Sequence, residues 1–337
     1  MKSIRNEPED CNTQVLASTL HEMYDPCMAD CNQEMRTFHH SEFTSTDALV
    51  QAKIQGNVSI SLVIPALNEA ATIGSIVSTV RAAFMHGRKT ALIDEIVVID
   101  GCSQDATRVV AEKAGARVVA IDDAGPQLPM SGKGAALWKS QFVTTGDVVV
   151  FIDADIANFS PHFITGLVGP LLLHPDLYFV KSFYRRPLVL DERLYDHYGG
   201  RITEIMVRPL LNALMPELSF LRQPLSGEYA LRRSVMEELP FSSGYGVEIG
   251  LLFDFYERYG VEHLAQVDIE MRIHRNRPVT ELGAVACGIT QVMLRKLGQH
   301  NRITFNAPTV NQVADASSEN IEIKPRRVYN ETGKTYG

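Results

Sequence analysis

Val148-Val149-Val150-Phe151-Ile152-Asp153-Ala154-Asp155 is an apolar run that stops on two acids held one residue apart. An unbroken run of branched and aromatic residues fits a strand buried on both faces of a sheet. Side chains at i and i+2 of a strand share a face, so both carboxylates converge where the strand emerges. Oxygen donors placed that way suit a hard divalent cation, and open α/β sheets bind ligands outside the carboxyl ends of their strands. An ordinary acidic strand-to-loop corner reads identically in isolation, so the flanking sequence has to decide.

Upstream, residues 58–65 form another buried-strand run, followed over 69–84 by helical spacing that carries Ile73, Ile76, Val77 and Val80. Strands are predicted at 93–100, 117–120 and 147–153, with helices at 104–114 and 133–144. Strands alternating with helices predict an α/β fold around a parallel, doubly wound sheet. Downstream, helices are predicted at 163–173, 200–214, 246–259 and 279–297, and strands at 177–183 and 265–273. Residues 1–57 are polar, without sustained strand periodicity, and read as an N-terminal extension with short helices; residues 301–337 read as a polar C-terminal tail.

The chain has 337 residues, 45% of them hydrophobic, enough for one large domain or two small ones. A net charge of −8 argues against a general nucleic-acid binder. No apolar run approaches the roughly 20 residues that span a bilayer. Met1-Lys2-Ser3-Ile4-Arg5-Asn6-Glu7 lacks the apolar core of a signal peptide. A cytoplasmic protein without membrane or nucleic-acid partners is expected. The cysteines, Cys11, Cys27, Cys31, Cys102 and Cys287, are odd in number and scattered, unlike a disulfide framework. Cys27 and Cys31, with Cys11, His21, His39 and His40 nearby, lack zinc-knuckle spacing, and reduced thiols are the expected state.

Three turns at strand or helix ends can build a crevice. Pro65-Ala66-Leu67-Asn68-Glu69 closes the first strand, where Asn68 and Glu69 can pair with a base or ribose. Asp100-Gly101-Cys102-Ser103 follows the next strand, with Gly101 allowing close backbone approach. Ser131-Gly132-Lys133-Gly134 opens a helix whose amides, with Lys133, can neutralise a diphosphate. Two familiar nucleotide motifs fail. Six residues separate Gly125 from Gly132 where a P-loop needs about four, and Gly134 stands where Ser or Thr belongs. No Gly-x-Gly-x-x-Gly follows the first strand.

The motifs Val63-Ile-Pro-Ala-Leu-Asn-Glu69, Val97-Val-Ile-Asp-Gly-Cys-Ser-Gln-Asp-Ala-Thr107 and Val150-Phe-Ile-Asp-Ala-Asp155 together resemble the GT-A nucleotide-sugar glycosyltransferases. Later motifs are more specific: Lys181-Ser-Phe-Tyr-Arg-Arg-Pro187, Gly199-Gly-Arg-Ile-Thr-Glu204, Gln223-Pro-Leu-Ser-Gly-Glu-Tyr-Ala230, Gly244-Tyr-Gly-Val-Glu-Ile-Gly250 and His274-Arg-Asn-Arg-Pro278. That series is similar to the glucosyl-3-phosphoglycerate synthases, over about residues 58–297.

The resemblance implies a GT-A type, Rossmann-like, mostly parallel sheet with helices on both faces and a C-terminal acceptor-binding portion. Residues 58–156 would be the nucleotide-sugar-binding half, and 157–300 the acceptor-binding and metal-completing half. It further implies metal-dependent, retaining transfer of glucose from a nucleoside-diphosphate glucose, UDP-glucose in most members, to the 2-hydroxyl of 3-phosphoglycerate by a homodimer. Carried over, Pro65, Ala66, Leu67, Asn68, Glu69, Gly101, Lys133, Asp153 and Ala154 face the nucleotide. Asp155 and His274 hold Mg²⁺ or Mn²⁺. Glu248 lies near the sugar hydroxyls, and Asp155, Glu248 and His274 form the catalytic set. Arg272 and Asn276 join the substrate contacts, and Gly200, Arg201 and Thr203 open a helix suited to the acceptor's anionic groups. Lys181, Arg185 and Arg186 form a second basic cluster that can steer the acceptor. One departure stands out: members commonly read Asp-Ser-Gly-Ser where this chain has Asp100-Gly101-Cys102-Ser103. Another sugar or acceptor, nucleotidyl transfer, and a non-catalytic nucleotide-sugar-binding protein remain open on the sequence alone.

Overall fold

The computed structural model describes residues 35–87, 90–127, 132–190, 193–195, 199–273, 279–304 and 322–323. Its strands are β1 (Arg36–His39), β2 (Ile60–Ala66), β3 (Glu95–Asp100), β4 (Arg117–Ala120), β5 (Val148–Phe151) and β6 (Phe179–Arg185). A short pair, β7 (Leu188–Leu190) and β8 (Arg193–Tyr195), precedes β9 (Tyr229–Arg232), β10 (Phe241–Ser242), β11 (Leu264–Met271) and β12 (Glu322–Ile323). The main helices are α1 (Thr46–Gln55), α2 (Ile73–Phe84), α3 (Thr107–Ala114), α4 (Gly132–Ser140) and α5 (His162–Leu173). They continue with α6 (Arg208–Leu214), α7 (Arg233–Met236), α8 (Val247–Tyr259) and α9 (Val279–Gln299).

Among the described residues, the main sheet has eight strands in the order β1-β11-β6-β9-β5-β2-β3-β4. Every pairing is parallel except those of β9, which runs antiparallel to both β5 and β6. The chain passes from β2 outward through β3 and β4, then returns to the other side of β2 as β5. A crevice forms at that reversal, outside the carboxyl ends of β2 and β5.

Strand alternation divides the core. Val149 and Phe151 pack with Leu137 of α4, Ile249 of α8 and Val292 of α9 on one face. Val148, Val150 and Ile152 pack with Leu49 of α1, Ile76 of α2 and Phe163 of α5 on the other. Most predicted elements stand within a few residues of their expected bounds. The helix expected over 200–214 is divided, however: Thr203–Val207 forms a π turn before α6, in which Arg208 N–H bonds the carbonyl of Thr203. Pro209 explains the widening, because it has no N–H to donate to the carbonyl of Ile205.

Part of the N-terminal extension belongs to this sheet. β1 pairs in parallel with β11 as an edge strand, and α1, capped by Ser45 Oγ accepting from Ala48 N–H, buries Leu49 and Val50. At the far end, β12 pairs with β10, and Glu322 reaches the buried Lys296 Nζ at 2.7 Å.

Two backbone positions set the geometry at the strand ends. A Cβ at Gly227 would lie 2.3–2.5 Å from all three carboxylate atoms of Asp153, so only glycine lets that acid lie flat against the start of β9. After β3 the glycine is not where the backbone bends left-handed: Cys102 takes φ +71°, a conformation glycine adopts without strain. The close approach expected of Gly101 is nonetheless present, its N–H donating to the Ala66 carbonyl at 2.8 Å.

Gly227→Ala is expected to displace the Asp153 carboxylate and cost on the order of 100-fold in turnover, with about 1–3 kcal/mol of stability lost to overpacking. Steady-state kinetics and chemical denaturation check both, and unchanged activity refutes the close-contact argument. Cys102→Gly is expected to raise stability by about 0.5–1 kcal/mol, the left-handed penalty exceeding glycine's extra unfolded entropy. A lowered denaturation midpoint contradicts it.

Candidate active site

The acid pair leaves β5 and meets cations from three directions. Lys133, in the first turn of α4, places Nζ 2.5 Å from Asp153 Oδ1 and 2.8 Å from Glu248 Oε1, itself in the first turn of α8. Arg272, just past β11, sets Nη2 3.0 Å from Asp153 Oδ2 and 2.7 Å from Asp155 Oδ1. Its Nε lies 2.9 Å from Oε1 of Glu228. Burial alone would raise the Asp153 carboxyl, but Lys133 and Arg272 outweigh it and hold the group well below the usual carboxylate range. Burial likewise pulls on Lys133, yet Asp153 and Glu248 keep its ammonium well above the ordinary lysine value. Both groups stay ionised at neutral pH.

Glu228, fully buried, escaped the sequence reading as a site residue. Its Oε2 accepts from Tyr184 OH at 2.7 Å and Ser226 Oγ at 3.0 Å while Oε1 faces Arg272. An acid opening the apolar stretch Tyr229-Ala230-Leu231 is the signal that could have found it, since carboxylates are almost never fully buried unless paired.

Gly200, Arg201, Ile202 and Thr203 line the same cavity as Lys133, Asp153, Asp155, Glu248 and Arg272. The expected acceptor turn and the acid pair therefore face one space. Gly200 takes φ +73° and its carbonyl accepts from Glu204 N–H at 3.0 Å, so a helical turn begins in this cavity-lining segment. Leu282, Val285 and Ile289 of α9 supply an apolar side, and Arg186 adds a further cation. The walls thus offer guanidinium and ammonium groups to anions and carboxylates to a cation.

Pro65, Ala66, Leu67, Asn68, Glu69 and Gly101 stand at the adjoining ends of β2 and β3 and do not line this cavity. The turn is tied to the acid pair by Thr72 Oγ1, which donates to the Ala154 carbonyl at 2.6 Å. Asn68, left-handed at φ +58°, donates its N–H to Ser103 Oγ at 2.9 Å and accepts from Gln104 N–H at 2.8 Å through Oδ1. Leu67 stays 56% exposed, which leaves an open apolar surface beside the turn. His274 and Asn276 lie outside the described residues. The basic cluster around 181–186 divides: Arg186 faces the cavity and Arg185 is exposed, whereas Lys181 is buried and donates to the Ser226 carbonyl at 2.7 Å.

A divalent cation suits Asp155. Among the described residues only its Oδ1 is engaged, by Arg272, and its side chain is 31% exposed at the cavity wall. A carboxylate oxygen there matches the donor preference of Mg²⁺ or Mn²⁺.

Residues 61–239 match the model of the family described as glycosyl transferase family 2. The glucosyl-3-phosphoglycerate synthase of Petrotoga mobilis is 45% identical over 272 residues, covering 80% of this chain and 83% of the relative. A crystal structure of the Mycobacterium tuberculosis glucosyl-3-phosphoglycerate synthase with Mn²⁺, UDP-glucose and phosphoglyceric acid superposes with a TM-score of 0.73 at 40% identity, covering 87% of this chain and 98% of that one. Another of the same enzyme, with Mg²⁺ and UDP, gives a TM-score of 0.73 at 40% identity over 87% and 99% of the two chains. With its acid pair and the Gly200–Thr203 turn facing one cavity of a GT-A fold, the chain belongs to glycosyl transferase family 2 and, within it, to the family of the glucosyl-3-phosphoglycerate synthases.

Proposed function

We propose that this chain transfers glucose from UDP-glucose to the 2-hydroxyl of 3-phosphoglycerate, with retention at the anomeric carbon. The observation that carries the reading is the single cavity that joins Asp153, Asp155 and Lys133 to the Gly200–Thr203 turn. The donor belongs to the half spanning 58–156 and the acceptor to the half spanning 157–300. Asp155 with His274 would hold Mg²⁺ or Mn²⁺, which would supply positive charge to the departing diphosphate.

The chain's own groups do the rest. Asp153, fixed between Lys133 and Arg272, faces the nucleotide sugar, and Glu248 holds sugar hydroxyls. Lys133 and Arg272 stabilise charge growing on the leaving phosphate, already fixed in place by their carboxylate partners. Arg201, the Thr203 hydroxyl and the amides of that turn bind the phosphate and carboxylate of 3-phosphoglycerate. The bond from the anomeric carbon to the diphosphate oxygen breaks while the acceptor 2-hydroxyl oxygen bonds that carbon from the same face. The hydroxyl proton passes to the leaving diphosphate. No enzyme nucleophile is needed, and the pairing supports this: Asp153 and Glu248 are engaged by Lys133, and Asp155 by Arg272.

The reading includes a cytoplasmic homodimer without nucleic-acid or membrane partners. It rests on the resemblance, on the net charge of −8, and on the lack, among the described residues, of a helix long and apolar enough to cross a membrane.

Asp155→Ala and His274→Ala are each expected to abolish metal-dependent turnover, whereas Arg201→Ala raises KM for 3-phosphoglycerate about 10- to 100-fold and leaves KM for UDP-glucose unchanged. NMR of the product should show the α-anomer. A β-linked product or a trapped glucosyl-enzyme sinks the front-face mechanism.

Lys181 gives a pH signature. Burial pushes its ammonium down to about 7, against the opposing pull of Glu248. Between that value and the unfolded lysine range the unfolded chain binds the extra proton, so folding stability rises with pH through this window. Its slope approaches about 1 kcal/mol per pH unit. Lys181→Met is expected to flatten that rise in denaturation measured from pH 7 to 9; an unaltered slope contradicts the assignment.

A further inference from the structure

At the edge of the main sheet, three metal-ligating side chains come together. His39 ends β1, His40 begins the turn after it, and Glu270 lies in β11; their donor atoms all stand within 4.8 Å of one another. We propose that His39, His40 and Glu270 form a binding site for one Zn²⁺-class divalent ion, separate from the catalytic cation.

Several observations point to a ligand. The His40 side chain is only 13% exposed, its Nδ1 has no hydrogen-bond partner, and its Nε2 meets only the Glu270 Oε1 at 3.0 Å. His39 Nδ1 accepts from Ser41 N–H at 3.2 Å and lies 2.7 Å from Ser41 Oγ; a metal on Nε2 moves the ring proton to Nδ1, where Ser41 Oγ accepts it in place of that cap, the usual support of a metal-bound imidazole. His162, its ring centroid 4.3 Å from that of His40, donates from Nε2 to the Ile269 carbonyl at 3.2 Å and packs behind the pair. Glu270 is held at φ +69°, where the register of β11 against β6 shifts between Asp268 and Met271, and its N–H bonds Asp268 Oδ1 at 2.8 Å. A left-handed glutamate costs about 1–2 kcal/mol, and here that strain carries an acid to two imidazoles.

Two imidazoles and one carboxylate favour Zn²⁺ over Mg²⁺, the reverse of an all-oxygen site. Bonds of about 2.0–2.2 Å need donor atoms roughly 3–3.5 Å apart, which rotation of the His39 and Glu270 side chains provides, with water completing the shell. The bound ion ties the edge strand β1 to the bulge of β11, two residues before Arg272.

The test uses the full chain, stripped of metal, then equilibrated with Zn²⁺ in excess Mg²⁺ and freed of unbound ion. Wild type should retain one more equivalent of zinc than either His40→Asn or Glu270→Gln, and zinc held elsewhere cancels in the comparison. X-ray absorption of zinc-loaded protein carrying Asp155→Ala and His274→Ala, which lacks the catalytic ligands, should show two imidazole nitrogens with oxygen around the ion, and it decides the matter even where the His40 or Glu270 variant folds poorly. Equal zinc in all three proteins, or a shell made of sulfur, overturns the proposal.

Discussion

One buried guanidinium organises the catalytic end of this molecule. Arg272 is 2% exposed and touches carboxylates from two chain segments distant in sequence, Asp153 and Asp155 after β5 and Glu228 before β9. Removing an ion from water costs several kcal/mol, and only a full set of counter-charges and hydrogen bonds returns that cost. Tyr184 and Ser226 complete Glu228, and Lys133 completes Asp153. The end of β11, the end of β5 and the start of β9 are consequently fixed with respect to one another by charge as well as by packing.

That network also decides what the acids can do. A carboxylate clamped between a lysine and an arginine is a poor nucleophile but a well-oriented acceptor. Its partners need little reorganisation as charge moves from sugar to diphosphate. The most buried charges therefore preserve geometry, while the less buried Asp155, Arg186 and Arg201 line the cavity and offer it charges of both signs.

Much of this was legible in residues 58–155, because buried strands and amphipathic helices announce themselves by period. The acid pair was legible from position alone, at the end of an apolar run. The Gly200–Thr203 turn was legible because glycine, arginine and a hydroxyl open a helix together. What escaped has physical reasons. β1 is four residues long with a single apolar side chain, Phe38, so it resembles a loop until β11 lies beside it. The antiparallel direction of β9 leaves no local trace, since an apolar strand reads alike either way. The partnership of Glu228 with Tyr184 spans 44 residues and exists only once β6 and β9 pair. The π turn required attention to the hydrogen bond that Pro209 cannot make, and at 101–102 the glycine drew notice although its neighbour carries the strain.

The direction of β9 has a further meaning. β6 ends and β9 begins at the same rim of the sheet, so the stretch from Arg186 to Glu228 leaves and re-enters the molecule beside the cavity. It carries Arg186, Gly200, Arg201 and Thr203 without contributing a strand to the main sheet. Topologically it is a cassette. Its length and contents can change over evolutionary time, or by grafting, while the strands on either side keep their neighbours. A fold wired in this way can rewrite one continuous stretch of its cavity wall while the strands that carry the acid pair stay as they are.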